Sequence, residues 1–170
     1  DHKLVPFGLL REPLSSLKRA DVLIFTKINL MQPNDFLNKT IKSAGKPYFS
    51  STLEAESPTL FDGKPLLIKK GIRIVALSAI ADTKGFITTL KQLDVEIVDH
   101  FDFVDHYSYR QSDIEKLAKH IKSLNVKAIL TTEKDMIKLA PLDLLGMKIY
   151  TVKVSFCMDK NDTEKLLELI

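Results

Sequence analysis

From residue 72 onward the sequence alternates short apolar runs with segments of helical periodicity, and this alternation limits the possible folds more than any other feature. Apolar runs of strand length occupy 72–79, 95–101, 128–131 and 149–154. Helical patterns follow the first three runs, at 84–93, at 112–124 and from Glu133. Because parallel strands need long crossover connections, this repetition predicts an α/β fold, a parallel sheet with helices on both faces. A last helix is expected over 162–170, with Asn161 and Glu164 in a capping arrangement.

The first 53 residues carry a shorter pattern of the same kind. An apolar run at 22–26 precedes a helix that Pro33 opens, and a second strand is expected at 47–53. Between residues 54 and 71, the pair Asp62-Gly63 separates two short apolar groups and predicts a hairpin. Three parts are therefore expected, with these boundaries: residues 1–53, a linker hairpin at 54–71, and a smaller α/β domain with its terminal helix at 72–170.

The six glycines are widely spaced, and no two lie closer than eight residues apart. Neither G-x-G-x-x-G nor G-x-x-x-x-G-K-[ST] can therefore occur, so both glycine-rich phosphate loops are absent from the sequence. Any nucleotide chemistry would need a phosphate loop outside these residues. The sequence starts with Asp1 rather than Met, which favours a missing amino-terminal part.

Composition adds three expectations. The balance of 25 Lys and Arg against 22 Asp and Glu carries no indication of a nucleic-acid partner. No apolar run approaches the roughly 20 residues of a membrane-spanning helix. The single Cys157 in an apolar stretch predicts a buried thiol in a reducing compartment, with the cytosol favoured.

The densest polar cluster, residues 99–107, follows a predicted strand, which is where open α/β sheets bind ligands. One hypothesis is a general base at His106, tuned and oriented by the neighbouring Asp105. Another is a divalent-metal site, for which four residues offer nitrogen or oxygen ligands: His100, Asp102, Asp105 and His106. The third is that these side chains only solvate a loop and cap the next helix.

The segment Thr131-Thr132-Glu133-Lys134-Asp135 also joins a strand end to a helix start. Thr132 and Asp135 have the spacing of a capping box, which favours a structural role. A helix amino terminus that carries Lys134 would also suit an anion.

Near the start of the chain, a helix is expected over 9–20 with one arginine, Arg11, in a segment punctuated by Gly and Pro. Arginine makes bidentate contacts with phosphate or carboxylate, so Arg11 is a candidate ligand-binding residue. The alternative is an ordinary helix start, with Glu12 and Pro13 in its first turn.

Three separated segments together resemble the tetraacyldisaccharide 4'-kinase family of lipid A biosynthesis. They are Leu9-Leu10-Arg11-Glu12-Pro13-Leu14 with Leu17-Lys18-Arg19-Ala20-Asp21, then Phe103-Val104-Asp105-His106-Tyr107-Ser108-Tyr109, and Thr131-Thr132-Glu133-Lys134-Asp135. Their order and spacing match the second half of that family. The strand end at 76–82 is also similar, although Asp82-Thr83 stands where many members have Asn-Pro and Ala79 where Gly is common.

The resemblance implies a transferase that uses ATP and Mg²⁺ to phosphorylate the 4'-hydroxyl of tetraacyldisaccharide 1-phosphate in lipopolysaccharide synthesis. It implies a remnant of a P-loop kinase domain and a smaller Rossmann-like domain, joined by the hairpin linker. The P-loop and the ligands of ATP and Mg²⁺ would lie in a missing amino-terminal half, with no metal ligand assigned here. Residues 1–170 alone should therefore be catalytically silent.

Residue roles also follow from the resemblance. His106, beside Asp105, matches the family histidine that works with an upstream catalytic aspartate. Arg11 would contact the substrate's phosphate or sugar. The segment Thr132, Glu133, Lys134 and Asp135 would be a nucleotide-binding, anion-binding or purely structural motif.

The implied partner is the lipid A disaccharide precursor, met by peripheral contact at the cytoplasmic face of the inner membrane, with no nucleic acid. The apolar stretch Val5 to Leu10 and the basic pairs Lys18-Arg19 and Lys69-Lys70 would assist this contact. Two other functions stay open: a metal-dependent hydrolase that uses the 100–106 loop, and a non-catalytic α/β module that binds an anion. All three share the fold, so the fold does not choose among them.

Overall fold

A computed structural model describes residues 3–8, 10–30 and 34–169 of the chain. The chain divides into two compact units, Asp1–Leu53 with Phe156–Ile170, and Glu54–Ser155. None of the described helices is both long enough and apolar enough to span a membrane.

The first unit starts with a 3₁₀ helix at Leu14–Arg19, shorter than the helix expected over 9–20. Its first residue follows Pro13, which has an extended backbone and offers no capping side chain, so only a short run of turns forms. The elements that follow are strand β1 at Leu23–Phe25, helix α1 at Asp35–Ala44 and strand β2 at Tyr48–Ala55. Strands β1 and β2 are parallel. Leu9 and Pro33, on which two predictions depended, lie outside the described residues.

The second unit alternates strands and helices as the apolar pattern predicts. Its elements are β3 at Arg73–Ser78, α2 at Thr83–Lys91, β4 at Glu96–Asp102, α3 at Gln111–Ile121, β5 at Ala128–Thr132, α4 at Glu133–Leu139 and β6 at Ile149–Val152. The strands form one sheet in the order β4-β3-β5-β6, and every neighbouring pair is parallel. The chain therefore moves outward from β3 to β4 and then returns to the other side of β3.

Both faces of this sheet are covered. Val75 and Leu77 of β3, with Ile129 of β5, face the side on which α3 and α4 pack. Ile74 and Ala76 face the opposite side, toward α2. Burial of each large side chain stabilises the fold by roughly 1.5–3 kcal/mol relative to exposure. Strands covered on both faces are apolar along their whole length, which explains why these runs do not alternate with polar residues.

Within the predicted linker 54–71, residues 59–65 form a hairpin-like turn, whereas Glu54 and Ala55 continue strand β2. Thr59 and Pro65 form an antiparallel bridge, and the N–H of Leu60 donates to the Lys64 carbonyl at 2.8 Å. Gly63 has a φ of +84°, a left-handed conformation that the turn requires and that glycine adopts without strain. Thr59 also bridges to Thr151 of β6. The hairpin thus belongs to the second unit, where it extends the cover of the α2 face.

The apolar run expected as one strand over 149–154 is divided in two. After β6, the separate strand β7 at Val154–Met158 joins the other sheet, in the order β1-β2-β7, and helix α5 follows at Lys160–Leu169. Residues 156–170 consequently group with the first unit, whereas the predicted division keeps 72–170 together. Asp159 caps α5 in place of Asn161, since its carboxylate accepts from the Asn161 N–H at 2.9 Å. Cys157 in β7 is half-buried, more exposed than expected.

Candidate functional site

The polar segments singled out in the second unit meet at the carboxyl edge of its sheet. Strand β4 ends at Asp102, and the loop 103–110 leads from there to α3. Strand β5 ends at Thr132, and α4 starts at the next residue. Strand β3 lies between them, and the direction of the chain crossovers reverses between β3 and β5. This is the topological switch point at which open α/β sheets bind ligands.

Ala79, immediately after β3, is hydrogen-bonded to both segments. Its N–H donates to Oδ2 of Asp135 at 3.1 Å. Its carbonyl oxygen accepts from the N–H of His106 at 3.3 Å. One residue earlier, the carbonyl of Ser78 accepts from the N–H of Phe103 at 2.9 Å. The end of β3 therefore fixes the backbone of the 103–107 loop and the start of α4 at the same time.

His106 presents its imidazole to solvent, with 85% of the side chain exposed. Nε2 lies 3.7 Å from Oδ2 of Asp105, and the His106 N–H also donates to Asp105 Oδ1 at 3.0 Å. The φ of His106 is +62°, a left-handed conformation that costs a non-glycine residue roughly 1–2 kcal/mol. Strained backbone of this kind persists where the surrounding structure holds it, and it clusters at functional sites. The arrangement holds an exposed, carboxylate-flanked imidazole at the edge where ligands bind.

Three aromatic rings pack together behind this loop. Phe103 stacks on Tyr107 with ring centroids 4.7 Å apart, and both rings meet Tyr109 edge-on. The Tyr107 hydroxyl donates to Oδ2 of Asp113 at 3.1 Å, in the first turn of α3. This hydrogen bond raises the pKa of Tyr107. The rings attach the loop to α3 and leave the His106 side chain outside.

Thr132 caps helix α4. Its hydroxyl oxygen accepts from the Asp135 N–H at 3.2 Å and donates to Asp135 Oδ2 at 2.7 Å. In a capping box, a Glu or Gln at this position accepts from the backbone N–H of the cap residue. The shorter Asp135 is fully buried and accepts instead from the Thr132 hydroxyl and the Ala79 N–H. Glu133 and Lys134 point away from that contact: Lys134 is exposed, and Glu133 lies 3.9 Å from Lys153 Nζ.

The other oxygen of Asp135, Oδ1, has no hydrogen-bond partner among the described residues, and neither has the buried hydroxyl of Tyr109. Lys138 Nζ lies 3.8 Å from that oxygen. Burial raises the pKa of Tyr109, and the Asp135 carboxylate raises it further. The buried carboxylate of Asp135 on α4 is therefore close to the buried phenol of Tyr109 and to the ammonium group of Lys138.

The four residues proposed as metal ligands are not brought together. His100 Nε2 lies 2.9 Å from the buried hydroxyl of Ser78, and Asp102 accepts from the Thr83 hydroxyl at 3.0 Å. Burial lowers the pKa of His100, against the charges of Asp102 and Asp99. Within the described part of the chain, no three His, Cys, Asp or Glu side chains form a group that could hold a metal ion.

Comparison with known proteins decides the family. All 170 residues match the family model described as Tetraacyldisaccharide-1-P 4'-kinase. The chain belongs to this family. The tetraacyldisaccharide 4'-kinase of Parabacteroides distasonis is 33% identical over 176 residues, covering 93% of this chain and 47% of that protein. The enzyme of the same name from Desulfatibacillum aliphaticivorans is 31% identical over 161 residues, covering 88% and 42%.

A solved structure of the tetraacyldisaccharide 4'-kinase family also matches. The crystal structure of LpxK from Aquifex aeolicus in complex with ATP has a TM-score of 0.64 and 26% identity, covering 99% of this chain and 47% of that one. The family resemblance and the α/β fold with parallel sheets and flanking helices are thus confirmed. The chain spans less than half the length of these relatives.

The sequence and the described residues lack two features that often hold ATP or a metal ion in proteins. Neither glycine-rich phosphate loop occurs in the sequence, and the described residues contain no group of three or more His, Cys, Asp or Glu side chains that could hold a metal ion. At the switch point, the Ala79 N–H could donate a hydrogen bond to an anion, but it already donates to the Asp135 carboxylate.

Arg11 lies in the other unit of this kinase-family chain. Its side chain is exposed, in the segment that precedes the 3₁₀ helix. An ion pair in this segment joins Arg19 to Glu12. The candidate residues Asp105 and His106 and the segment Thr132 to Asp135 belong to Glu54–Ser155.

Sequence reasoning assigned no role to three residues of the carboxyl edge, Ser78, Ala79 and Tyr109. It also missed the pair Asp99 and His120 of β4 and α3, whose Oδ2 and Nε2 lie 2.7 Å apart. Ser78 and Ala79 belong to an apolar run, where a small residue carries no chemical signal. The strand register, in which Ser78 pairs with Asp102, would have indicated that Ser78 faces the β4 polar residues.

Proposed function

We propose that this chain is the carboxy-terminal part of an ATP-dependent kinase that phosphorylates the 4'-hydroxyl of tetraacyldisaccharide 1-phosphate in lipid A biosynthesis. The observation that carries the proposal is the family match over residues 1–170. Because the chain spans less than half of each relative, we assign the P-loop and the ligands of ATP and Mg²⁺ to a missing amino-terminal half.

His106 is the proposed catalytic residue of this part, with Asp105 as its partner. Phosphoryl transfer depends mostly on positioning and on stabilisation of charge, with one carboxylate accepting the hydroxyl proton of the substrate. The exposed imidazole of His106 would hydrogen-bond to that carboxylate, supplied by the other half, and orient it toward the 4'-hydroxyl. Asp105, 3.7 Å from Nε2, supports the role by orienting the ring.

Arg11 is proposed to bind the phosphate or sugar of the lipid substrate, since an exposed guanidinium can contact phosphate through two N–H groups. The segment Thr132, Glu133, Lys134 and Asp135 is proposed as a structural motif. Its capping hydrogen bond lies within the segment, and its buried carboxylate bonds to the Ala79 N–H of the same unit.

The proposal includes peripheral contact with the cytoplasmic face of the inner membrane. Val5 and Phe7 are 59% and 83% exposed, and Lys3 and the pair Lys18-Arg19 lie in the same unit. Apolar side chains flanked by cations suit an anionic lipid interface, because the apolar side chains enter the headgroup layer and the cations attract the phosphates.

The alternatives have less support. A metal-dependent hydrolase would need His100, Asp102, Asp105 and His106 to converge, and the described residues do not provide that group. No specific contact favours a non-catalytic anion-binding module.

The test compares the full-length protein with residues 1–170. Each is incubated with radiolabelled ATP, MgCl₂ and tetraacyldisaccharide 1-phosphate in detergent micelles, and the lipid products are separated and counted. We expect 4'-phosphorylated product from the full-length protein and none from residues 1–170. No product from the full-length protein would refute the kinase function. Product from residues 1–170 would refute the division of labour between the two halves.

A further inference from the structure

Asp135 occupies the place where an open α/β sheet would bind a ligand. Its side chain is completely buried at the switch point, and Oδ2 accepts two hydrogen bonds, from the Ala79 N–H and from the Thr132 hydroxyl. A carboxylate is almost never buried so completely unless other groups satisfy it. Helix capping alone does not explain this burial, because Thr132 caps α4 with its own oxygen.

The contacts continue from Asp135 to His106 through one residue. The Ala79 N–H donates to the Asp135 carboxylate, and the Ala79 carbonyl oxygen accepts from the His106 N–H at 3.3 Å. A displacement of Ala79 would therefore move the acceptor that holds His106. Ala79 lies just beyond strand β3, whose last residue is Ser78, so strand pairing does not hold Ala79 in place if the contact with Asp135 is lost.

His106 depends on backbone contacts of this kind. Its side chain is mostly in solvent, so packing does not hold it, and its left-handed φ needs support from outside the residue. Two acceptors share its N–H, Ala79 and the adjacent Asp105. Of these, only Ala79 connects the loop to the sheet.

Tyr109 provides a second connection from Asp135 to the loop. Its ring packs against Phe103 and Tyr107, and its buried hydroxyl is close enough to Asp135 for the carboxylate to raise the pKa of the phenol. Two residues of the 103–109 segment, His106 and Tyr109, are thus linked to one buried side chain.

We propose that Asp135 is a positioning residue for His106: it fixes Ala79, and Ala79 holds the His106 backbone at the carboxyl edge. The catalytic consequence rests on the proposed kinase function, whereas the structural part does not. The role depends on an acceptor atom for the Ala79 N–H and not on the negative charge. Asp135→Asn, which keeps one side-chain oxygen, should therefore preserve it, and Asp135→Ala should remove it.

The first test is amide hydrogen exchange of the full-length protein, measured by mass spectrometry on peptides that cover 103–109 and 84–91. In Asp135→Ala the Ala79 N–H loses its acceptor, so the Ala79 carbonyl that accepts from the His106 N–H is no longer held in place. We therefore expect exchange in 103–109 to become about tenfold faster. Exchange in 84–91, on the opposite face of the sheet, should change little. Asp135→Asn should resemble the unchanged protein in both peptides.

Leu90→Ala is the matched control for general loosening. Leu90 is fully buried in α2, and it packs on the face that does not carry the 103–109 loop. We expect this variant to speed exchange in 84–91 and to leave 103–109 nearly unchanged. Equal acceleration of 103–109 by Leu90→Ala and Asp135→Ala would overturn the positioning role, and so would unchanged exchange of 103–109 in Asp135→Ala.

The second test is kinetic and uses a double-mutant cycle. Asp135→Ala should lower kcat by about tenfold to a hundredfold, as small misplacements of catalytic groups do, with the KM for ATP nearly unchanged. In a His106→Ala background the same change should have almost no further effect on kcat, because the residue it positions is gone. Additive losses would overturn the proposal. If the unchanged full-length protein phosphorylates no lipid, the kinase function fails, and the exchange pattern alone then decides whether Asp135 positions His106.

Discussion

Oγ of Ser78 and Nε2 of His100 lie 2.9 Å apart, joining the neighbouring parallel strands β3 and β4 inside the second unit. Ser78 is completely buried and His100 is partly buried, so this hydrogen bond is shielded from water. His100 therefore has a structural partner within the sheet. His106, six residues later, is exposed.

Stability should depend on pH through His100. Burial lowers the pKa of this ring below its usual value of 6.5, against the opposing charges of Asp102 and Asp99. The unfolded chain therefore binds the proton more tightly than the folded protein does, and stability should decrease as the pH falls below about 6.5 and level off below the folded-state pKa.

The measurement is the urea midpoint of the protein between pH 5 and pH 7.5, compared with that of His100→Gln. Gln can keep a hydrogen bond to Ser78 but does not titrate, so the variant should lose part of the pH dependence. His106→Gln is the control, because its ring is exposed, and it should keep the dependence. The same slope in the His100→Gln variant and the unchanged protein would contradict the assignment.

His106→Ala in the full-length protein should lower kcat for lipid phosphorylation by about a hundredfold, within the range typical of acid–base groups, and change the KM for ATP little. Because 85% of the side chain is exposed, its removal should leave the fold, and with it ATP binding, nearly intact. His120→Ala is the control, since it removes an imidazole from α3 in the same unit, where its partner is Asp99. Equal losses in the two variants would show that His106 has no special role.

The position of His106 could be predicted from the sequence, because apolar runs locate strand ends and ligand sites follow the carboxyl ends of strands. The role of Asp135 could not. A carboxylate at a helix start is usually an exposed cap, and nothing near it in the sequence indicates that the Ala79 N–H, 56 residues earlier, needs an acceptor.

Register and sheet membership also escaped prediction. The partner of His100 depends on how β4 lies beside β3, and that register shifts between Ile74 and Val75. The split between β6 and β7 at Lys153 carries no local signal, because both halves are apolar and the two strands belong to different sheets. Local propensity identifies strands, whereas pairing depends on distant residues.

Thr132→Ala should destabilise the protein by about 1 kcal/mol, the usual cost of losing a helix cap, with an additional loss because Asp135 also gives up a hydroxyl donor. Thr132→Ser keeps the oxygen and should be close to the unchanged protein. Thermal or urea unfolding measures both. A loss in Thr132→Ser as large as that in Thr132→Ala would indicate that the methyl group, and not the cap, is what matters.

Phe7→Ser should weaken binding of the full-length protein to vesicles that contain phosphatidylglycerol, measured by co-sedimentation. Phe7 is 83% exposed beside Val5, and a buried aromatic side chain is worth roughly 1.5–3 kcal/mol, so affinity should fall by about tenfold or more. Because this contribution is apolar, it should persist at high salt, whereas attraction to Lys18 and Arg19 is screened. Phe61→Ser is the matched control: Phe61 is 75% exposed on the hairpin of the other unit. An equal decrease in both variants would mean that any exposed aromatic residue contributes to vesicle binding, whatever its position in the chain. An unchanged affinity in Phe7→Ser would show that the amino-terminal segment does not contact the membrane.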